Sequence, residues 1–388
     1  MVKTTVGVIR ERHPGEKRVA ITPEVAARLI AKDIAVIVET NAGVASRHAD
    51  EDYVAIGARV SPVGEVVEDS DILCCVNPCE PPGVRPGQIL IGTFEPLYRT
   101  ELMNSLQSSE ATVLSLDLLP RQLSRAQSMD VLSSQANVSG YKAALVAANA
   151  YGRYLPMLTT AAGTSQPATV LVLGTGVAGL AAIGTARRLG AVVTAYDVRP
   201  EAKDEVESLG ARFLELASVI AGTGEGGYAR QLNQAERDAQ QSELAEAIGR
   251  FDIVITTAKV PGRKPPVLVT ETAIAGMRAG SVVVDMAAGE LGGNVEGAKP
   301  DATVETHNGV TVIGAGNLAS EMAPSASAAY ARNISAVLNH LITDSGVTVD
   351  VDDEITSALL VTHQGRAVNS ATADASPPTS QPGDTDGT

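Results

Sequence analysis

The sequence predicts an α/β protein built on two mostly parallel sheets joined by long helices. Three observations carry that prediction. Short apolar runs alternate with helical stretches along most of the 388 residues, as they do in βαβ units. The alternation occurs twice, once before and once after a long helical stretch at 128–154. The second series opens on a glycine-rich turn held between an apolar strand and an apolar helix.

The elements follow in order. Residues 4–9 (TTVGVI) read as a strand. A helix is expected over 23–32, with Thr22 as N-cap and Pro23 in the first turn, where an N–H would have no partner in any case. Strands at 34–39 (IAVIVE), 71–76 (DILCCV), 88–92 (QILIG) and 112–117 (TVLSLD) alternate with helices at 50–58 and 99–107. The stretch 128–154 then carries the chain out of the first unit, and 159–168 reads as a loop. Strands at 169–173, 191–196, 252–257, 281–285 and 310–313 build the second sheet. Helices at 177–189, 201–209, about 230–249 and 269–278 accompany them, and 324–345 is expected to return to the first unit. The expected domains are thus 1–127 with 324–363, and 128–323. From Gln364 to Thr388 the chain is rich in Ser, Thr, Asp, Pro and Gly without apolar periodicity, and a disordered tail is expected.

Composition narrows the function classes. Thirty Lys plus Arg against 45 Asp plus Glu leave a net charge of −15, which argues against nucleic acid or an anionic lipid surface as a direct partner. Aromatic residues are 3% with no Trp, too few for a base-stacking platform. Three Cys make no disulfide framework and suit a reducing compartment; Cys74, Cys75 and Cys79 are expected as free thiols. The five His are scattered, so no metal site is expected. The N-terminus shows no apolar core of a signal peptide. Residues 154–186 lack charge, but they hold Pro156, Pro167 and five Gly, and no membrane insertion is expected.

Residues 170–179, VLVLGTGVAG, place Gly174, Gly176 and Gly179 in the G-x-G-x-x-G pattern between a strand and a helix. The first glycine permits the tight turn, the second lets a pyrophosphate approach the backbone, and the third lets helix pack on strand. Val177 opens the helix, whose free N–H groups suit a phosphate. The next strand ends at Asp197, placed to accept from the adenosine ribose hydroxyls and to repel a 2′-phosphate, so NAD(H) is favoured over NADP(H). Val198 and Arg199 follow it. This is a Rossmann-type dinucleotide site, and the chain holds one such motif.

On longer matches the chain resembles the alanine dehydrogenase/transhydrogenase superfamily. Within it, the chain is most similar to the soluble NAD(H)-binding component (the alpha subunit or its first portion) of proton-translocating NAD(P) transhydrogenases. RERHPGEKRVAITP at 10–23 is shared by both branches. SRAQSMDVLSSQANVSGYKA at 124–143, LTTAAGT at 158–164, YDVRPEAKDEVESLGARFLEL at 196–216, GEGGYARQL at 224–232 and VITTAKVPGRKPPVLVT at 254–270 match the transhydrogenase branch. The resemblance implies that Gln127, Ser128, Met129 and Asp130 lie beside the nicotinamide, with Ser133 one turn on and Arg121 as the matching arginine. The segment from Pro120 to Gln127 is one residue longer than the family pattern. The resemblance also implies a mobile loop carrying Gly227 and Tyr228, a nucleotide contact from Gln240, and a contact at Lys259, which replaces an apolar residue.

Hydride transfer between two nicotinamide rings needs no proton on either substrate, so positioning suffices. The resemblance implies that NADP(H) is held by a separate partner subunit and that a membrane-spanning subunit carries the proton path. It further implies a homodimer, cytoplasmic and peripheral at the inner face of the plasma membrane through those partners. Gln127, Asp130, Arg121 and Ser133 are the expected catalytic set. Two other readings stand beside this one. An alanine dehydrogenase-like enzyme would need a Lys where Asn77 aligns and a His where about Glu95 aligns, although Arg18 fills the arginine position. The third reading is a non-catalytic NAD-binding protein.

Overall fold

In the computed structural model, residues 4–217, 234–259, 262–343 and 346–368 are described. The first sheet is built from β1 (Thr5–Val8), β2 (Ala35–Glu39), β3 (Arg59–Ser61), β4 (Ile72–Cys74), β5 (Ile89–Gly92) and β6 (Thr112–Ser115). Its six strands run parallel in the order β6-β5-β4-β1-β2-β3. Val6, Val8, Ile72 and Ile91 sit at or below 1% exposure, because helices cover both faces of a parallel sheet. Thr22 is the N-cap residue of the helix Pro23–Ile30, but its hydroxyl makes no capping bond.

The 21-residue helix Val131–Tyr151 leaves this sheet. The stretch expected as a loop at 159–168 instead holds a small hairpin, β7 (Leu158–Thr160) with β8 (Gly163–Ser165). The second sheet follows: β9 (Thr169–Leu173), β10 (Val192–Tyr196), β11 (Arg212–Phe213), β12 (Ile253–Thr256), β13 (Val282–Asp285), β14 (Thr303–Glu305) and β15 (Thr311–Gly314). The order is β11-β10-β9-β12-β13-β15-β14, parallel except for β14. Helix Ala323–Leu341 then packs Tyr330, Ile334, Val337 and Leu338 into the core of the first sheet.

A short hairpin, β16 (Ile342–Thr343) with β17 (Gly346–Val347), precedes the helix Glu354–Leu359. The chain ends its described course as β18 (Leu360–His363), antiparallel to β6, and β19 (Arg366–Ala367), antiparallel to β18. Pairing therefore continues past Gln364, the expected start of the tail: Gln364 (φ 49°) and Gly365 (φ 74°) make the turn.

Both sheets reverse strand order at one place, between β1 and β4 in the first and between β9 and β12 in the second. Ligands of open α/β sheets bind in the crevice outside the carboxyl ends of such strands. No helix among the described residues is long and apolar enough to cross a membrane.

Candidate functional site

The second sheet's crevice holds the glycine turn. Gly174 has φ 93°, which a side chain strongly disfavours, and an added Cβ would sit 2.6 Å from the Thr257 hydroxyl. A Cβ at Gly179 would lie 2.0 Å from the Gly174 carbonyl oxygen, so helix Val177–Arg188 can seat on the strand only through glycine. Gly176 is different: nothing lies within 4 Å of its missing Cβ. Open space there, at a helix N-terminus without a side-chain cap, fits a pyrophosphate.

Asp197 sits across this turn. Its Oδ2 accepts from the Thr175 backbone N–H at 2.8 Å and the Thr175 hydroxyl at 3.0 Å. Its Oδ1 accepts from the Arg199 backbone N–H and Nε, both at 3.0 Å. Burial pushes the Asp197 pKa up, but the Arg199 and Thr175 donors outweigh it and hold the carboxyl below its ordinary value. Both oxygens are thus occupied by protein donors, and a ribose would have to take over from Arg199. Val198 points outward at 65% exposure. Gln240 lies on the helix Gln234–Ile248 rather than in a loop, and its amide donates to the Tyr196 hydroxyl beside Asp197. Lys259 is exposed just after β12. Gly227 and Tyr228 lie outside the described residues, as do Val260 and Pro261.

The expected catalytic residues come together in a second place. Arg121, Gln127, Asp130 and Ser133 line one pocket of about 420 Å³. Asp130 N-caps the long helix, accepting from the Ser133 N–H at 2.8 Å and the Ser133 hydroxyl at 2.6 Å. Arg121 spans the pair, donating to Ser133 Oγ at 2.8 Å and Asp130 Oδ2 at 3.2 Å, so the longer segment before Gln127 still delivers the guanidinium. Gln127 and Ser128 are exposed on the 3₁₀ turn Ser124–Met129. Met129 departs from its expected cofactor contact: its side chain is 5% exposed and packed in the first core.

The long helix joins the two places. From Asp130 it runs ten residues to Gly140, about 15 Å at roughly 1.5 Å per residue. There a Cβ would meet the Ala178 carbonyl oxygen at 2.0 Å, beside the turn that suits a pyrophosphate. That span is on the scale of an extended dinucleotide.

The first sheet's crevice is filled by its own side chains. Glu11 accepts from the Val76 N–H at 2.6 Å and from Asn77 N and Nδ2 at 3.1 and 3.0 Å. The Asn77 amide also donates to Glu16 at 2.8 Å. Glu16 in turn binds Arg18 through both oxygens, at 2.8 and 2.7 Å, and Arg18 reaches Gln135 at 3.0 Å. Burial, with Glu16 nearby, pushes the Glu11 pKa up to about 7. Burial also acts on Glu16, but Arg18 and Asn77 outweigh it and hold it down at about 2. Glu95 is spoken for as well, accepting from the Tyr98 hydroxyl and from Arg99 Nε at 2.9 Å.

Three contributors escape sequence reasoning. Thr175, inside the glycine motif, is the residue that orients Asp197. Asn294, fully buried, clamps the backbone before Lys259 by bonding Ala258 N and O, each at 3.0 Å. Asn333, 8% exposed, bonds the Ser128 carbonyl at 2.7 Å. Only Thr175 carries a signal, its place between two motif glycines.

The chain matches the family described as alanine dehydrogenase/PNT, N-terminal domain, over residues 7–139, and its C-terminal domain over residues 143–370. It is 41% identical over 369 residues to the first of the two chains that make up the NAD(P) transhydrogenase subunit alpha of Rickettsia prowazekii, covering 93% of this chain and 95% of that one. It is 42% identical over 368 residues to the NAD(P) transhydrogenase subunit alpha of Cereibacter sphaeroides, covering 93% and 70%. Among solved structures, the transhydrogenase from Sinorhizobium meliloti superposes with a TM-score of 0.84 at 40% identity, covering 94% of this chain and 100% of that chain.

Proposed function

The chain belongs to the alanine dehydrogenase/PNT family of oxidoreductases, and from that premise we propose that it is the NAD(H)-binding subunit of a proton-translocating transhydrogenase. The observation that carries this reading is the pocket of Arg121, Gln127, Asp130 and Ser133, which offers hydrogen-bonding groups and no general acid or base near neutrality. NAD(H) lies across the long helix, with its pyrophosphate on Gly176 and the N-terminus of Val177–Arg188, and its adenosine ribose on Asp197. Bound NADH supplies a hydride from C4 of its ring to C4 of the NADP⁺ ring on the partner subunit. Gln127 orients the ring carboxamide, and the Arg121–Asp130–Ser133 set holds the Gln127 turn rigid. Residues 128–323 form the nucleotide domain, and 1–127 with 324–363 the other.

The first crevice supports the choice against amino-acid oxidation. Arg18, which would pair with a substrate carboxylate, is already paired with both oxygens of Glu16, whose side chain is fully buried. Asn77 and Glu95 stand where imine chemistry needs a Lys and a His, and neither can shuttle a proton there. The single nucleotide motif, and the lack of a membrane-spanning helix among the described residues, support a division of labour in which partner subunits hold NADP(H) and the proton path. A homodimer docked peripherally on the inner face of the membrane through those subunits completes the proposal.

The test is hydride transfer from NADH, with and without the NADP(H)-binding subunit. Transfer should appear only with the partner present, and Gln127→Asn should abolish most of it while NADH binding changes less than threefold. Alanine-dependent NAD⁺ reduction by the chain alone would instead establish the dehydrogenase reading. Tight NADH binding without transfer in the full complex would establish a binding protein.

A further inference from the structure

We propose that Asn333 is a positioning residue for hydride transfer, acting through the backbone of the turn that presents Gln127. The proposal rests on the role given to Gln127 above. Ser124–Met129 is a 3₁₀ turn, three residues per turn, so residues three apart share a face. Ala126 and Met129 bury one face in the first core, and Gln127 is left on another, exposed to the pocket. Two hydrophobic side chains fix the depth of such a turn but not its rotation about their line. The rotation is fixed by polar contacts on the remaining face.

Two such contacts exist. Asn333 Nδ2 donates to the Ser128 carbonyl at 2.7 Å, one peptide beyond Gln127. Asn333 is itself oriented, because its Oδ1 accepts from the Ser134 hydroxyl at 2.7 Å. Ser134 lies on the helix that Asp130 caps, so one side chain ties the Gln127 turn, the helix start and the returning helix Ala323–Leu341 together. The second contact is Arg125 Nη1 to Asp353 Oδ1 at 3.0 Å, with Asp353 also held by His340 Nε2 at 3.0 Å. Magnitudes rank the two. Arg125 is 55% exposed, and exposed ion pairs contribute little. Asn333 is buried, and a buried donor lost to a neighbouring carbonyl is not replaced by water. Asn333 therefore carries the alignment, and Arg125 is secondary. Displacement of a positioning group by about 1 Å can cost on the order of a hundredfold in rate.

The test uses the full chain reconstituted with its NADP(H)-binding subunit. Asn333→Ala removes the donor. Asn333→Asp keeps the acceptor for Ser134 but sets a carboxylate against the Ser128 carbonyl. Both should lower the hydride-transfer rate at least tenfold at neutral pH with the NADH Kd within threefold of the parent. Asn333→Asp should in addition recover relative to the parent as pH falls, because the protonated acid regains an O–H donor; a purely structural role would not give that profile. Arg125→Gln should change transfer less than threefold. Should both Asn333 variants fail to fold, Ser134→Ala carries the test and must lower transfer at least threefold, or the proposal fails. If Gln127→Asn abolishes transfer while the Asn333 variants stay within twofold of the parent, the positioning role is overturned and the function stands. If Gln127→Asn is also without effect, the role of Gln127 falls and this proposal falls with it.

Discussion

Gly140 lies directly against Ala178: a methyl group at Gly140 would come within 2.0 Å of the Ala178 carbonyl oxygen. The contact sets the spacing between the long helix and the helix that opens the nucleotide crevice. The obstacle is backbone, which no rotamer change can move aside.

Gly140→Ala should therefore destabilise the protein despite the better helix propensity of alanine. Propensity favours the change by roughly 1 kcal/mol, whereas overpacking against backbone costs about 3 kcal/mol at the upper end of its usual range. A net loss of about 2 kcal/mol lowers the melting temperature by roughly 4–8 °C in a domain of this size. NADH binding should weaken as well, because the displaced helix carries Val177. A melting temperature at or above the parent's would show that the helices separate freely.

At the start of the same helix, Asp130 has two separable tasks, the cap and the charge that holds Arg121. Asparagine caps as well as aspartate does, so Asp130→Asn should keep stability within about 0.5 kcal/mol of the parent's. It should nevertheless lower hydride transfer about tenfold by releasing Arg121. Asp130→Ala should lose both, with about 1 kcal/mol from the missing cap. Equal transfer rates in the parent and the Asn variant would leave Arg121 and Asp130 no joint role.

How far the sequence alone leads depends on where the ordering forces lie. Strands β9, β12 and β13 are continuous apolar runs whose local pattern already states their burial. Strand β3 and the helix Val63–Asp69 are not legible, because Arg59, Pro62 and Gly64 break any apolar period and tertiary packing alone orders the segment. The exposed hairpin β7–β8 has no buried alternation to read. Gln127, Asp130 and Ser133 are legible because they lie within one local pattern. Asn333 is not, because its partner Ser128 is 205 residues away and its own helix shows only an apolar stripe.

Asp197→Asn should reverse nucleotide preference in part. The carboxylate now holds Arg199 by three donors, and the amide would release it while no longer repelling a 2′-phosphate. NADH affinity should fall about tenfold, roughly 1.4 kcal/mol, and NADPH affinity should rise. Isothermal titration with both nucleotides measures this; an unchanged NADH Kd would remove Asp197 from the ribose site.

The carboxylates packed in the first crevice, Glu11 and Glu16, should give stability opposite dependences on pH. Glu16, held at about 2 in the folded state, contributes stability present above its ordinary value of 4.5 and lost as pH falls toward 2. Glu11, raised to about 7, behaves in reverse. Between 4.5 and 7 the folded chain holds a proton there that the unfolded chain releases, so stability falls as pH rises through that window. A shift of this size corresponds to about 3 kcal/mol. Glu16, Asn77 and the Val76 N–H face the carboxyl directly, and of these only Glu16 titrates. Glu11→Gln keeps the shape of the protonated acid at every pH, so the fall in melting temperature between about pH 5 and 7 should flatten in this variant while the acid limb set by Glu16 stays. A variant that keeps the parent's slope would mean that the three N–H donors around Glu11 already hold it ionised, and that the crevice carries a full negative charge at neutral pH.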